Sequence, residues 1–94
     1  MPYVLIQHNV ANFRAFEPVF DDDQTRRKRS GSKGGRLLRN SADPNNLFAL
    51  FEWDTLENAK RFADSYELRE AVEWAGDSGP ARALVLEEVK LTEA

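Results

Sequence analysis

Apolar residues along the chain follow two rhythms, one of period two and one near 3.6, and their alternation sets out the elements. Tyr3 to Val10, YVLIQHNV, is short and rich in strand formers, and it predicts a first strand. Asn12 stands where a helix cap is needed, and Phe13, Phe16 and Phe20 then recur at i, i+3 and i+7 along a helix running to about Ser30. Pro18 has no backbone N–H and falls beyond the first turn, so a kink or an irregular opening is expected there. Asp21-Asp22-Asp23 precede Arg26-Arg27-Lys28-Arg29, which puts cations toward the carboxyl end as the helix dipole prefers, and Gly31 supplies the stop.

Gly34 and Gly35 lead into a second strand, Arg36 to Asn40. The turn formers Asp43-Pro44-Asn45-Asn46 separate it from a third, Leu47 to Trp53, in a hairpin pattern. Asp54-Thr55-Leu56-Glu57 has the spacing of a capping box with Asp54 in the capping position, and it opens a helix with the stripe Leu56, Ala59, Phe62 and Ala63. The phase slips near Ser65. Leu68, Ala71, Val72 and Ala75 then predict a further short helix ending at Gly76. Ala81 to Val89 reads as a fourth strand, followed by a polar tail from Lys90 to Ala94.

Strand, helix, strand, strand, helix, strand is the order of an α+β, ferredoxin-like βαββαβ antiparallel sheet with its helices on one face. The other face of such a sheet is ordinarily polar. Here it is not: Val4 and Ile6 lie on one parity and Tyr3 and Leu5 on the other. Leu47, Ala49, Phe51 and Trp53 likewise oppose Phe48 and Leu50, and Val85 and Val89 oppose Leu84 and Leu86. Each large side chain left in water forfeits about 1.5 to 3 kcal/mol of burial. A second copy covering the open face, in a two-fold homodimer, is therefore expected.

The chain has 94 residues, room for a single domain, 1–94, that would expose about 5,500 Å² as a folded monomer. A formal net charge of -3 argues against a nucleic-acid partner. The basic run Arg26 to Arg29 accordingly reads as a solvated face that offsets the helix dipole. Lys33-Gly34-Gly35 lacks the spacing of a phosphate loop and runs into a strand, so it reads as a flexible lead-in. No apolar run approaches the roughly 20 residues of a membrane span, and the amino end lacks the pattern of a signal peptide, so no membrane association and a cytoplasmic location are expected. Cysteine is absent and His8 is the single histidine, a poor basis for zinc or haem, so no metal and no cofactor are expected.

Several segments together resemble a known group. Gln7-His8-Asn9-Val10-Ala11-Asn12-Phe13, Phe16-Glu17-Pro18-Val19-Phe20-Asp21, Gly31-Ser32-Lys33-Gly34-Gly35, Arg39-Asn40 and Glu52-Trp53-Asp54 are similar to small dimeric α+β barrel proteins. These belong to the superfamily of antibiotic biosynthesis monooxygenases and related polyketide-cyclase-like and stress-responsive proteins. The resemblance implies two sheets meeting face to face, a small-molecule pocket between helices and sheet, and chemistry on aromatic or polyketide-like compounds that often needs no prosthetic group.

His8, with an ordinary pKa near neutrality, is the candidate general base toward a phenol or an acidic C–H, or else a histidine bonded at the sheet edge. Some polyketide-cyclase-like relatives also carry a histidine on the first strand. Trp53, Trp74, Tyr66, Phe16, Phe20 and Phe62 could line a pocket for a flat ligand, although helical spacing alone accounts for the three phenylalanines as core. Arg39 and Asn40 point to opposite sheet faces; either could hold a carbonyl or enolate oxygen, or both could serve the hairpin. The expected function is a cofactor-independent enzyme of the monooxygenase-like or cyclase-like type acting on a small aromatic or polyketide-like compound. The alternative is a non-catalytic small-molecule-binding or stress-response dimer.

Overall fold

Alternate residues of the first strand turn to the same side, and that side is where the core forms. The computed structural model describes residues 1–73 and 82–94, with 67–73 described as helical backbone. In chain order the elements are β1 (Pro2–Asn9), α1 (Phe13–Asp22), α2 (Gln24–Ser30), β2 (Ser32–Asn40), β3 (Asp43–Trp53), α3 (Leu56–Glu73) and β4 (Arg82–Glu87). The sheet runs β2-β3-β1-β4 with every neighbouring pair antiparallel. This is the ferredoxin-like α+β arrangement.

Register puts Val4 opposite Phe51, Ile6 opposite Ala49 and His8 opposite Leu47, all buried. They meet Ala59, Phe62, Ala63 and Tyr66 of α3 in one cluster and Val10 and Phe16 in another. Tyr3, Leu5, Leu38, Phe48, Leu50, Leu84 and Leu86 occupy the opposite parity, and among the described residues none of them joins the helix-side core clusters. Leu38 is 50% exposed, Leu84 47% and Leu86 38%. The two-sided apolar pattern thus carries into three dimensions.

Five local expectations are corrected. Asn12 caps α1, its side-chain oxygen accepting the Arg14 N–H at 2.9 Å, but the chain breaks at Asp23 rather than Pro18. Pro18 sits within α1, while the Asp23 N–H donates to the Phe20 carbonyl at 3.3 Å and α2 restarts with the Arg27 N–H on the Asp23 carbonyl at 3.0 Å. Second, the hairpin turns at Ser41-Ala42, with β2 and β3 longer than their apolar cores. The Ala42 N–H donates to Asn40 Oδ1 and the Asn45 N–H to Asp43 Oδ1, so polar side chains satisfy the ends. Pro44 is tolerated beside the register shift at Arg39/Asn40, where the ladder is already interrupted.

Third, α3 is continuous through Ser65, because Tyr66 extends the stripe Ala59, Phe62, Ala63 and the backbone has no reason to break. Gly76 and Ala75 lie outside the described residues. Fourth, Thr55 caps α3, its Oγ1 accepting the Asn58 N–H at 3.1 Å, and Glu57 pairs forward with Arg61 instead of closing a box. Fifth, β4 is shorter than the apolar run that predicts it, ending at Glu87, and Tyr3 Oη donates to Glu88 at 3.0 Å just beyond. Among the described residues no helix is long and apolar enough to cross a membrane.

Candidate binding site

The two glycines before the apolar part of β2 border a cleft on the helix side. Gly34 takes a φ of 118°, and between Ser32 and Gly34 the register of β2 shifts against β3. Gly35 lies opposite Phe51, where a Cβ would press on the Leu50 carbonyl oxygen and come within 2.7 Å of Phe51 Cδ1. Only a residue without a side chain fits this approach. The face of Phe51 is left for Phe20, which stacks on it at 5.9 Å with the planes 20° apart.

Arg27 closes over this pair. Its guanidinium lies 4.1 Å from the Phe20 ring centroid and 4.9 Å from that of Phe51, and Nη1 donates to the Phe20 carbonyl at 2.8 Å. Asp23 stands 4.0 Å away. With 7% of its surface exposed, Arg27 is a buried cation, which corrects the solvated reading of the basic run. Phe20 and Arg27 are seven residues apart, two helical turns, and the short α1–α2 break keeps them on one side.

Between α2 and β2 opens a cleft of about 720 Å³, with Phe20, Leu37 and Phe51 on its walls. Arg27, Lys28, Arg29, Lys33 and Arg36 line it against the carboxylates of Asp21 and Asp54. The Asp54 carboxyl is held below its ordinary value, chiefly by the hydrogen bond from the Asn58 amide, with the Thr55 N–H and the Lys33 charge adding to it and burial opposing. Among the described residues no three His, Cys, Asp or Glu side chains gather as a metal would require.

The candidates from the sequence are distributed unevenly around this cleft. Phe20 lines it. His8, 2% exposed, packs edge-on to Phe16 with centroids 5.6 Å apart and planes at 89°. Phe16 in turn meets Phe20 at 5.7 Å, so two rings lie between the imidazole and the cleft. Trp53 is fully buried; its indole N–H donates to the Ser30 carbonyl at 3.3 Å and its ring meets Phe62 at 4.6 Å. Phe62 and Tyr66, 5.9 Å apart, belong to the same core cluster. Arg39 is exposed above Phe13, at 5.9 Å, and Asn40 bonds within the hairpin to Asn46. Trp74 lies outside the described residues.

No family model and no curated protein matches the sequence. Solved structures match its fold. A crystal structure of an antibiotic biosynthesis monooxygenase aligns with TM-score 0.66 and 12% identity, over 96% of this chain and 100% of that one. An antibiotic biosynthesis monooxygenase from Nitrosomonas europaea aligns at 0.59 and 14%, with the same coverage of 96% and 100%. An MhuD variant with two manganese protoporphyrin IX molecules bound per active site aligns at 0.55 and 15%, over 100% of both chains. The chain has the antibiotic biosynthesis monooxygenase fold.

Within this monooxygenase fold, the cleft combines an aromatic wall with a buried guanidinium and further cations, a setting for a flat molecule that carries negative charge. Arg27, Gly35, Leu37 and Phe51 were not among the residues singled out from the sequence. Two signals pointed to them: the i, i+7 spacing of Phe20 and Arg27, and a glycine pair directly before an apolar strand.

Proposed function

We propose that the chain is a small-molecule enzyme of the monooxygenase-like type, acting without a resident metal or prosthetic group on a flat aromatic or polyketide-like acid held in the α2–β2 cleft. The observation that carries this reading is the Phe20–Phe51 stack under the Arg27 guanidinium, at the wall of a cavity within the usual ligand range of about 300 to 1,000 Å³. A guanidinium shielded from water favours the ionised form of a bound phenol, enol or carboxylic acid. The ionised phenol or enol is the electron-rich form with which dioxygen, the oxidant in this reading, would react.

His8 remains the candidate base. Its packing behind Phe16 favours a second reading, in which the cleft binds such an acid without turnover. Porphyrins, as carried by one structural neighbour, are also flat and acidic. Here the single histidine packs on Phe16 and does not line the cleft, which favours a metal-free aromatic acid over a metalloporphyrin. The reading includes a second copy of the chain on the open sheet face. Leu38, Leu84 and Leu86 are the large apolar side chains left about half exposed on that face.

The test uses anthraquinone-2-carboxylate and neutral anthraquinone as binding probes, followed by tryptophan fluorescence, and oxygen uptake with a hydroxyanthrone. The acid is expected to bind at least about tenfold more tightly than the neutral ring, a preference that Arg27→Met removes. Oxygen uptake that falls in His8→Ala while binding persists supports the enzyme. Binding without uptake selects the second reading, and equal affinity for acid and neutral ring defeats both.

A further inference from the structure

The cations of α2 are not all turned to the cleft. On the other side of that helix, between α2 and α3, lies a smaller cavity of about 310 Å³ lined by Arg26, Arg29, Arg61, Asn58, Ser65 and Phe62, together with Ser30. None of its lining side chains is a carboxylate. In a protein of formal net charge -3, three arginines lining one concave surface are contrary to the overall balance. We propose that this cavity, which shares Arg29 with the rim of the aromatic cleft, is a separate phosphate-binding site that takes a small phosphate-bearing molecule.

The arrangement is held in advance by the fold. Arg26 lies over the Phe62 ring at 5.6 Å, donates through Nη2 to Ser65 Oγ at 3.1 Å, and contacts Asp23 through Nη1 at 3.4 Å. Arg26 and Arg29 share one face of α2 at i, i+3, and Asn58, Arg61 and Ser65 share one face of α3. The cluster is therefore assembled from two elements distant in sequence. Compensation of the α2 dipole accounts for Arg29 in the last turn, but not for Arg61 on the facing helix.

Two carboxylates reach these guanidiniums from the rim, Asp23 to Arg26 and Glu57 to Arg61. Arg61 meets Glu57 at 3.1 Å with the two side chains 72% and 81% exposed, a pair that water screens, and Asp54 accepts from the Asn58 amide. Among the described residues Arg29 makes no ion pair. A carboxylate would answer one of three guanidiniums; a phosphate dianion has the charge and the oxygens to engage Arg26, Arg29 and Arg61 together. Such a ligand would tie α2 to α3, and α2 also supplies Arg27, Lys28 and Arg29 to the cleft.

The experiment is a titration of the full chain with inorganic phosphate and with glycerol 3-phosphate, read by calorimetry and by thermal shift at fixed ionic strength set with chloride. Saturable binding is expected, weakened at least about tenfold by Arg61→Gln and unchanged by Arg36→Gln, which alters only the aromatic cleft. Arg61 is largely exposed, so its variant should keep the wild-type melting temperature in chloride. Tighter binding of glycerol 3-phosphate than of inorganic phosphate supports a phosphomonoester ligand, and the reverse order supports free phosphate. Absence of saturable binding, equal losses in the two variants, or loss only in Arg36→Gln each overturns the proposal. The aromatic-acid titration is untouched by any of these outcomes.

Discussion

Lysine in place of Leu84 puts a charge on the open sheet face, in the edge strand β4. Leu84 is paired with Leu5, whose other neighbour across the sheet is Leu50, so the substitution falls within an apolar stripe spanning three strands. In the single chain 47% of Leu84 is exposed. Burying a leucine completely is worth about 1.5 to 3 kcal/mol, so covering the remaining half contributes about 0.7 to 1.5 kcal/mol per copy. A two-fold interface uses the residue twice, which doubles the loss to about 1.5 to 3 kcal/mol before any cost of dehydrating the ammonium group. The dimer dissociation constant should then rise about ten- to hundredfold.

Sedimentation equilibrium across the micromolar range measures this directly. Val19→Lys is the control, because Val19 is 48% exposed but lies on α1, away from the open face. It should leave the constant unchanged. A wild-type chain that sediments as a stable monomer throughout, or equal weakening by both substitutions, would refute the reasoning from the two-sided sheet.

Three further outcomes test the helix side and its borders. Gly35→Ala forces a Cβ against the Leu50 carbonyl and Phe51, neither of which can swing away, so stability should fall by about 1 to 3 kcal/mol. Thermal unfolding would register this as a drop of about 4 to 8 °C per kcal/mol, and an unchanged midpoint would contradict the close approach. Trp53→Phe removes the indole donor to the Ser30 carbonyl and empties part of a fully buried site, and urea denaturation should report a loss of about 1 to 3 kcal/mol. Asp54 has its folded pKa below the ordinary 3.8, so its contribution is present above that value and is lost as pH falls through the folded pKa. Urea midpoints on either side of pH 3.8 should fall more steeply for wild type than for Asp54→Asn; parallel curves would remove Asp54 from the acid limb.

Much of the architecture is legible in neighbouring residues. Parity in a strand depends only on odd and even positions, so Val4, Ile6 and His8 could be assigned to one face and Tyr3 and Leu5 to the other without knowing what either face meets. The same holds for the stripe of α3 and for the cap at Asn12. Element ends are less legible: Asp43 to Asn46 have the composition of a turn, yet pairing with β2 and bonds from their own side chains keep them in β3.

The cleft was decided by tertiary contacts. Phe20, Arg27, Gly35 and Phe51 lie on four different elements and have no common period; they meet because a bulge at Gly34 brings β2 over Phe51 and a break at Asp23 lets α2 turn Arg27 inward. A run of four basic residues gives no sign of which member will be buried, since that depends on the rings and the carbonyl it finds across the cleft. The Trp53 donor to Ser30 is of the same kind. By itself the sequence determined the order of the elements and the two apolar sheet faces, because periodicity belongs to consecutive residues. Only the tertiary structure decided where a flat acid could rest, because a site is made of residues that the chain separates and the fold brings together.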